Sequence, residues 1–435
     1  MLNKATFKRG GVHPDDMKRL TKDKAVERLP MPGELYVSMS QHLGAPATPL
    51  KAKGDRVEKG EVVGKASSFI SADVHSPVSG SVVDVRKVRL ATGANADTLV
   101  IKPDEEQPDS FKTVYDWKSQ SKEEIQALVK DMGIVGMGGA TFPTNVKFSV
   151  PTGKKVEYLV INGVECEPYI TCDYRLMLEN TDDLLEGAMI AAKAVDPEKI
   201  VIGIEMNKMD AAEKLDKRAK ELGYPIEIQP LKMKYPQGDE KQLLKAITGR
   251  EIPSGKLPLD IGCIVCNTAT TYAIFEAVKY HKPLFERRIT VSGECINEPK
   301  NILAPIGTPF SALIEYCGGI KEGIYELVSG GPMMGFDVPD ESVPMVKGSG
   351  GLLALPDKKK GQTFPCVSCG KCVQHCPMGL MPNRMFRNIK NGNYAEAMAL
   401  GLMDCKECGC CSFSCPSHID LVQGFKLGKK MGRKK

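Results

Sequence analysis

Apolar and polar positions follow two rhythms in the middle of the chain. Short runs rich in Val and Ile predict strands at residues 156–161, 200–204, 226–228 and 261–265. Between them, apolar residues recurring every three to four positions predict helices at residues 176–195, 211–222, 240–248 and 269–281. Strand–helix alternation is typical of a mostly parallel sheet covered by helices, with ligands at the carboxyl ends of the strands.

Residues 378–404 show a second helical pattern, without strands. Apolar side chains recur at the spacing of short amphipathic helices, at Met385, Phe386, Ile389, Ala395, Met398 and Leu402. We therefore expect the C-terminal part of the chain to be helical.

Length and composition indicate a soluble protein of several domains. At 435 residues the chain exceeds what one hydrophobic core usually supports, so about two to four domains are expected. No run approaches the roughly 18 uninterrupted apolar residues that a spanning helix needs. The N-terminus lacks the apolar block of a secretory signal. We expect no transmembrane segment and a cytoplasmic location.

The positive charge is concentrated at one end. Six Lys and Arg residues lie within residues 426–435, which is more than the whole net charge of +5. Such a basic tail can touch acidic lipid or a partner protein, but it is more often solvated and disordered, and we favour the second interpretation. Nothing else in the sequence favours nucleic-acid binding.

Fifteen cysteines in a cytoplasmic chain point to metal rather than to disulfides. Eight of them form two C-x₂-C-x₂-C-x₃-C-P motifs: Cys366, Cys369, Cys372 and Cys376, then Cys405, Cys408, Cys411 and Cys415. This spacing is typical of two [4Fe–4S] clusters, in which the fourth cysteine of each run serves the other cluster. One set is therefore Cys366, Cys369, Cys372 and Cys415, and the other is Cys376, Cys405, Cys408 and Cys411.

The alternative is two structural zinc sites, since eight cysteines could supply two tetrahedral sets. Zinc modules usually pair two separate C-x₂-C knuckles, so the triple run closed by C-P favours clusters. Cys410 breaks the spacing and is interpreted as a bystander. His375 and His418 are not expected to be ligands, and the other six cysteines are interpreted as small buried apolar residues.

A glycine-rich turn precedes the first predicted strand, in GIVGMGGATFPTNVK at residues 133–147. It is not the dinucleotide fingerprint, because Thr141 stands at the third glycine position. A turn of this kind either lets backbones pack closely or presents bare N–H groups to an anion, with Lys147 nearby to neutralise phosphate.

This turn resembles the flavin loop of the NADH-oxidising flavoprotein subunit of respiratory complex I. Further elements of that family follow in order: VINGVECEPYITCDYR at residues 160–175, QGDEKQ at 237–242 and VCNTAT at 265–270. The resemblance implies FMN binding by Gly136, Gly138, Gly139, Lys147, Asn162, Gly238, Asn267 and Thr270. It implies contact with the nicotinamide nucleotide by Phe142, Glu167, Asp239 and Glu240, and Glu165 belongs to the same cofactor-binding segment. Val164 and Cys266 depart from the family, where an aspartate and an asparagine stand, and each acidic residue could instead be a solvated loop charge.

The flanking regions resemble known modules as well. Residues 31–105 are similar to a biotinyl or lipoyl carrier β-sandwich, but Phe69 stands where the modifiable lysine would be, so the region is a structural or docking element. Residues 285–356 resemble the β-grasp (SLBB-like) module that follows the flavin domain in complex I. The remaining parts are an N-terminal segment (1–30), the flavin domain (106–284), the ferredoxin domain (357–425) and the basic tail (426–435).

In this order the parts resemble the RnfC family, which belongs to the Rnf ion-translocating ferredoxin–NAD oxidoreductases. The resemblance implies a multidomain α/β and α+β protein, with a carrier-like barrel-sandwich hybrid, a complex I-like FMN domain, a β-grasp module and a helical two-cluster ferredoxin domain. It implies a translocase component at the cytoplasmic side of the inner membrane, which exchanges electrons between NAD(H), non-covalent FMN and two [4Fe–4S] clusters. Its partners would be membrane subunits, a polyferredoxin subunit and, indirectly, ferredoxin. The alternatives are a soluble NADH-dependent flavin and iron–sulfur reductase, such as a cobalamin reductase, and a scaffold that binds no flavin.

Overall fold

The N-terminal segment pairs with strands of other domains instead of folding on its own. The structure, a computed structural model, describes residues 5–108, 110–323, 325–357 and 362–433. Strand β1 (Val26–Arg28) joins the sheet of the β-grasp module as an edge strand. Further upstream, Ala5 and Val12 form single β-bridges with Leu231 and Tyr235 of the flavin domain. The segment therefore ties two domains together.

The carrier-like region closes two small sheets around one core. Its strands are β2 (Leu35–Ser38), β3 (Thr48–Pro49), β4 (Arg56–Val57), β5 (Val62–Lys65), β6 (Val74–His75), β7 (Gly80–Arg89) and β8 (Asn95–Pro103). One sheet has the order β2-β8-β7-β4 and the other β3-β5-β6. Buried Val, Leu and Ile side chains from both sheets fill the space between them. Phe69, in place of the carrier lysine, is 74% exposed.

The flavin domain is the predicted parallel sheet. Its elements are α1 (Lys122–Asp131), α2 (Thr144–Phe148), β9 (Tyr158–Gly163), α3 (Cys172–Glu179), α4 (Thr181–Val195), β10 (Lys199–Glu205), α5 (Met209–Glu221), β11 (Ile226–Leu231), α6 (Glu240–Thr248), β12 (Cys263–Asn267) and α7 (Thr268–Tyr280). All strand pairs are parallel, in the order β11-β10-β9-β12. One face of the sheet packs against α4, α5 and α7 and the other against α6, which explains why the apolar runs do not alternate with polar residues.

The prediction of one helix over residues 176–195 is wrong. Residues 176–195 do not form a single helix, because Asn180 leaves helical geometry at φ −122° and ψ 44° and separates α3 from α4. The Asn180 amide donates to the Asp183 carboxylate in the first turn of α4 at 3.2 Å. The break turns the apolar face of α4 towards α7.

The β-grasp module follows with β13 (Glu286–Ser292), β14 (Lys300–Pro305), α8 (Phe310–Tyr316), β15 (Tyr325–Ser329), β16 (Phe336–Asp337) and β17 (Gly351–Pro356). Its sheet has the order β1-β14-β13-β17-β15-β16. The core of the module is continuous with that of the flavin domain. Two domains that are separate in sequence therefore share one hydrophobic interior.

The C-terminal part is helical, as predicted. Its helices are α9 (Lys371–Gln374), α10 (Pro382–Lys390), α11 (Tyr394–Ala399), α12 (Cys410–Phe413) and α13 (Leu421–Gly432). Met385, Ile389 and Leu402 are buried as expected, together with Phe425 of α13. Ala395 was expected on the apolar face but is exposed, and Ala397 occupies the buried position instead.

The basic tail differs from the expected disordered segment. Residues 426–432 continue α13, whose Leu421 and Phe425 are buried in the helical core. The ammonium of Lys429 donates to the Cys405 carbonyl at 2.7 Å and to the Glu407 carboxylate at 2.6 Å. Residues 434 and 435 lie outside the described part of the chain. Within that part, no helix combines the length and the apolar character needed to span a bilayer.

Candidate functional site

Two asparagines stand side by side at the carboxyl ends of the central strands. Asn162 of β9 is paired in register with Asn267 of β12. The Asn162 amide donates to the Gly238 carbonyl at 2.8 Å, and the Asn267 amide donates to Asp173 at 2.6 Å. The Asn267 oxygen also accepts from the first turn of α7. Both side chains fix the loops that surround this edge of the sheet.

The glycine-rich turn lies directly over Asn267. The Thr270 hydroxyl accepts from the Met137 N–H at 2.8 Å and lies 3.2 Å from the Val135 carbonyl. A Cβ atom on Gly138 would meet the Asn267 Cβ at 2.9 Å, so this close approach requires glycine. Gly138 and Gly139 are exposed. The turn therefore presents its backbone to solvent at the expected position.

The other residues of the turn follow the same arrangement. The Gly136 N–H donates to the Phe142 carbonyl at 2.9 Å, which closes the turn on itself. The Phe142 ring is half-buried. The ammonium of Lys147 donates to the Val265 carbonyl at 3.1 Å and lies 3.6 Å from the Glu240 carboxylate. A half-exposed positive charge thus stands at the end of β12, beside the turn.

Asp239 and Cys266 are occupied by the protein itself. The Asp239 carboxylate caps α6 by accepting from the N–H groups of Lys241 and Gln242 at 3.1 and 3.2 Å. Burial raises the pKa of Asp239 above its usual value. Burial also raises the pKa of Cys266 to about 11, so this thiol is a neutral buried group where the complex I family has an asparagine.

Residues 163–171, which we call the acidic segment, are largely buried, and both of their glutamates, which are partly exposed, bond to other parts of the chain. The Glu165 carboxylate accepts from the Asp173 N–H at 2.7 Å, and Glu167 accepts from the Tyr235 hydroxyl at 3.2 Å and the Met333 N–H at 3.1 Å. Burial raises the pKa of each carboxyl to about 7. Neither residue is a solvated loop charge.

Sequence reasoning missed the groups that compensate these acids. The buried ammonium of Lys208 donates to the Val164 carbonyl at 2.7 Å, and that of Lys18 donates to the Glu167 carbonyl at 3.1 Å. Tyr235 is 3% exposed. None of the three belongs to a motif, and a single sequence holds no signal that pairs them with the acidic segment.

Four cysteines from both motifs meet beside the flavin domain. Burial is the largest cause that raises the pKa of the Cys411 thiol, and the neighbouring charges of Cys405, Cys408 and Cys376 raise it further. Burial raises the pKa of Cys405 to about 11, and the charges of Cys408 and Cys376 contribute to this shift. These four thiols, which form one predicted cluster set, lie near enough to act on one another electrostatically.

The other predicted set lies nearer the surface. Cys366 and Cys369 are exposed, whereas Cys372 is buried, and burial raises the pKa of its thiol. Two bonds join the start of this motif to the chain just after Cys415: Phe364 N–H to the Ser417 carbonyl, and the Ser417 hydroxyl to the Pro365 carbonyl, both 3.0 Å.

The second motif packs against the flavin domain. The Cys410 thiol faces the Tyr235 carbonyl at 3.8 Å, and the Ser254 hydroxyl donates to the Asp404 carboxylate at 2.7 Å. On the first motif, the His375 ring nitrogen lies 2.8 Å from the Gly11 carbonyl. His375 therefore bonds to the N-terminal segment, and Cys410 belongs to the interface.

The buried carboxyl of Glu167 predicts a pH dependence of stability. An acid whose pKa is raised from 4.5 to about 7 on folding binds its proton more tightly in the folded chain. Its contribution to the free energy of unfolding is present below about pH 4.5 and is lost as pH rises through 7, by about 3 kcal/mol. The measurement is urea denaturation of the cofactor-free protein between about pH 4.5 and above pH 7. Over this range the free energy of unfolding should fall by about 3 kcal/mol more in wild type than in Glu167→Gln. The exposed Glu227→Gln is the control and should follow wild type. Equal slopes for Glu167→Gln and wild type would contradict the assignment.

Three protein family models match successive parts of the chain. Residues 5–106 match the RnfC barrel sandwich hybrid domain, residues 129–276 the Nuo51 FMN-binding domain and residues 288–337 the SLBB domain. Among solved structures, the chain is similar to an NAD⁺-reducing [NiFe]-hydrogenase in the H₂-reduced state, with a TM-score of 0.53 and 17% identity. That match covers 72% of this chain and 63% of the hydrogenase chain, and it supports the fold.

Sequence relatives extend over nearly the whole chain. It is 43% identical over 393 residues to the C subunit of the proton-translocating ferredoxin:NAD(+) oxidoreductase complex of Clostridium ljungdahlii, covering 89% of this chain and 86% of the relative. It is 40% identical over 431 residues to the C subunit of the Na(+)-translocating complex of Acetobacterium woodii, covering 98% and 96%. The C subunit of the ion-translocating oxidoreductase complex of Rhodobacter capsulatus is 42% identical, covering 97% and 82%. The resemblance inferred from the sequence motifs is thereby confirmed, and the chain belongs to the RnfC family, the C subunits of the ion-translocating ferredoxin–NAD oxidoreductase complexes.

Proposed function

We propose that this chain exchanges electrons between NAD(H), a non-covalently bound FMN and two [4Fe–4S] clusters, as the peripheral subunit of an ion-translocating ferredoxin–NAD oxidoreductase. One observation carries the proposal. Cys408 of the second set and its neighbour Cys410 pack with Tyr235 and Cys166 of the same domain whose glycine-rich turn and acidic segment form the candidate flavin and nucleotide site. A nucleotide-type site and a cluster site side by side suit an electron carrier.

The residues present suit a flavin phosphate and ring. The exposed backbone of Gly138 and Gly139 offers N–H groups, and Lys147 adds a positive charge beside them. Asn162 and Asn267 hold the loops that would border the ring. When bound, FMN supplies the exchange between two-electron hydride transfer and one-electron transfer, and the clusters supply one-electron transfer.

The nucleotide would approach from the acidic segment. Glu165 and Glu167 are the acidic members of the motif shared with the complex I family, and Phe142 presents a half-buried ring beside the turn. Asp239 and Glu240 border the same edge from the start of α6. In this assignment the side chains bind and orient the nucleotide, and no side chain acts as a covalent or acid–base catalyst.

The exposure of the cysteines supports an order for the two clusters. The set of Cys376, Cys405, Cys408 and Cys411 is enclosed between the helical domain and the flavin domain. The other set begins with exposed Cys366 and Cys369. Electrons would therefore pass between the flavin domain and the enclosed set first, and leave or enter the chain at the exposed set.

Membership of the family supports a peripheral position on a membrane complex. The described residues contain no helix able to span a bilayer, so attachment would depend on other subunits. We place the chain on the cytoplasmic face, where NAD(H) is available, in contact with membrane subunits and a polyferredoxin subunit, with ferredoxin reached indirectly.

The FMN assignment predicts the effect of removing one charge. Lys147→Ala should weaken FMN binding roughly 10- to 100-fold, since a charge-assisted hydrogen bond contributes about 1.5–3 kcal/mol. Fluorescence titration of the flavin-free chain measures this directly. Lys154→Ala is the matched control, because Lys154 pairs with Asp260 at the opposite, amino-terminal edge of the sheet. Unchanged FMN affinity in Lys147→Ala would remove this residue from the site.

The order of the clusters predicts different behaviour for two cysteine variants. After anaerobic reconstitution, Cys369→Ser and Cys408→Ser should each retain about four irons per chain. NADH should bleach the surviving cluster of Cys369→Ser, which lies against the flavin domain, and leave that of Cys408→Ser oxidised. Cys295→Ser, outside both motifs, should behave as wild type. If NADH bleached the surviving cluster of both variants equally, the proposed order would be wrong.

A further inference from the structure

The N-terminal segment contributes a buried charge to the acidic segment. Lys18 is 4% exposed, and its ammonium donates to the carbonyls of Glu167 and Ile170. The same nitrogen lies 4.0 Å from the Glu165 carboxylate, and these two side chains are 5% and 4% exposed. One side chain from outside the flavin domain thus contacts both glutamates assigned to the nucleotide site.

Hydrogen bonds join the two segments on both sides of Lys18, one between backbones and one between side chains. The Tyr169 N–H donates to the Asp16 carbonyl at 2.8 Å, and the hydroxyls of Thr21 and Thr171 lie 2.7 Å apart. The Asp16 carboxylate accepts from the Lys18 N–H at 3.2 Å. The two bonds of Asp16 fix where the Lys18 ammonium enters the acidic segment.

The acidic segment needs support from outside because its backbone is strained. Glu165 and Tyr169 adopt left-handed geometry, with φ of 45° and 68°. Non-glycine residues hold this geometry only where surrounding contacts impose it. Lys208 bonds to the Val164 carbonyl at one end of the segment, and Lys18 bonds to the Ile170 carbonyl at the other. The two ammonium groups therefore clamp the segment between them.

We propose that Lys18 is a positioning residue for the nicotinamide nucleotide. By holding the carbonyls of Glu167 and Ile170 and compensating the charge of Glu165, it keeps the acidic segment in the conformation that receives the dinucleotide. The inference rests on the proposed function, in which this segment faces NAD(H). It makes the N-terminal segment part of the nucleotide site, although the described residues of that segment add to the central sheet only the single β-bridge between Ala5 and Leu231.

Charge explains why a lysine suits this position. A dinucleotide brings two negative phosphate charges to a site that already contains Glu165, Glu167 and Asp173, so an uncompensated acidic segment would repel it. A buried apolar side chain in place of Lys18 would fill the space, but it would leave the carbonyls of Glu167 and Ile170 without this donor and the Glu165 carboxylate without its neighbouring positive charge. We therefore expect an apolar substitution of Lys18 to lower the affinity for the nucleotide first.

The test compares three variants of the full reconstituted chain. Lys18→Met removes the ammonium, and Lys18→Gln keeps a donor without the charge. Thr21→Val is the control, because it removes a buried bond between the same two segments without touching either glutamate. The measurements are the KM and kcat for NADH, the Kd of NAD⁺ by calorimetry, and the melting temperature.

Lys18→Met should raise the KM for NADH and the Kd of NAD⁺ about tenfold or more, the loss expected for a buried charged donor, with kcat changed less than about twofold. Lys18→Gln should show a smaller rise, because its amide still donates. Thr21→Val should lower the melting temperature and leave KM unchanged. A KM that rises equally in Thr21→Val and Lys18→Met, or a fall in kcat at unchanged KM, would overturn the proposal.

Two further results separate this inference from the proposed function. If Lys18→Met does not fold, Lys18→Gln decides: a raised KM at wild-type kcat supports the proposal, and an unchanged KM overturns it. If wild type binds NAD⁺ and the Lys18 variants bind it equally well, the positioning role fails while the proposed function stands. If wild type itself binds neither NAD⁺ nor NADH, the proposed function fails, and the inference fails with it.

Discussion

Burial of the acidic segment after β9 is the constraint on which the rest of the structure depends. Its carboxylates and strained backbone leave water, so every polar group needs a partner. Those partners come from distant parts of the chain. Lys18 reaches in from the N-terminal segment, Thr290 of β13 accepts from the Thr171 N–H at 3.0 Å, and the Met333 N–H donates to Glu167. The β-grasp module and the N-terminal segment are thereby fixed to the flavin domain.

The same constraint explains where the enclosed cysteine set lies. Tyr235 donates its hydroxyl to Glu167, and its carbonyl faces Cys410 in the second motif. One buried residue therefore contacts the acidic segment on one side and the cluster-binding loop on the other. The extra cysteine, which breaks the two-residue spacing, packs here with Val12 and Cys408. Electron transfer between cofactors needs a fixed, dry separation, and this interface provides both packing and hydrogen bonds.

Local sequence patterns predicted much of the fold, but little of the way in which distant residues contact the acidic segment. The continuous runs of Val and Ile predicted four strands, because burial on both faces leaves no polar alternation, and the alternation of strands with helices predicted their parallel pairing. The resemblance to the complex I family assigned Gly138, Asn267 and Thr270 to one site, and these residues contact one corner of the sheet. Lys18, Lys208 and Tyr235 could not be found in this way, since a contact between residues 18 and 167 leaves no local pattern. The helix break at Asn180 and the helical continuation of the basic tail were missed because side-chain contacts decided them against the local preference.

The most direct test is anaerobic reconstitution of the full chain with iron, sulfide and FMN, followed by titration with NADH under the same conditions. The account predicts about eight irons per chain, and it predicts that NADH bleaches the flavin and the iron–sulfur absorbance in one titration. A colourless product, tightly held zinc in place of iron, or clusters that stay oxidised while the flavin bleaches would contradict it.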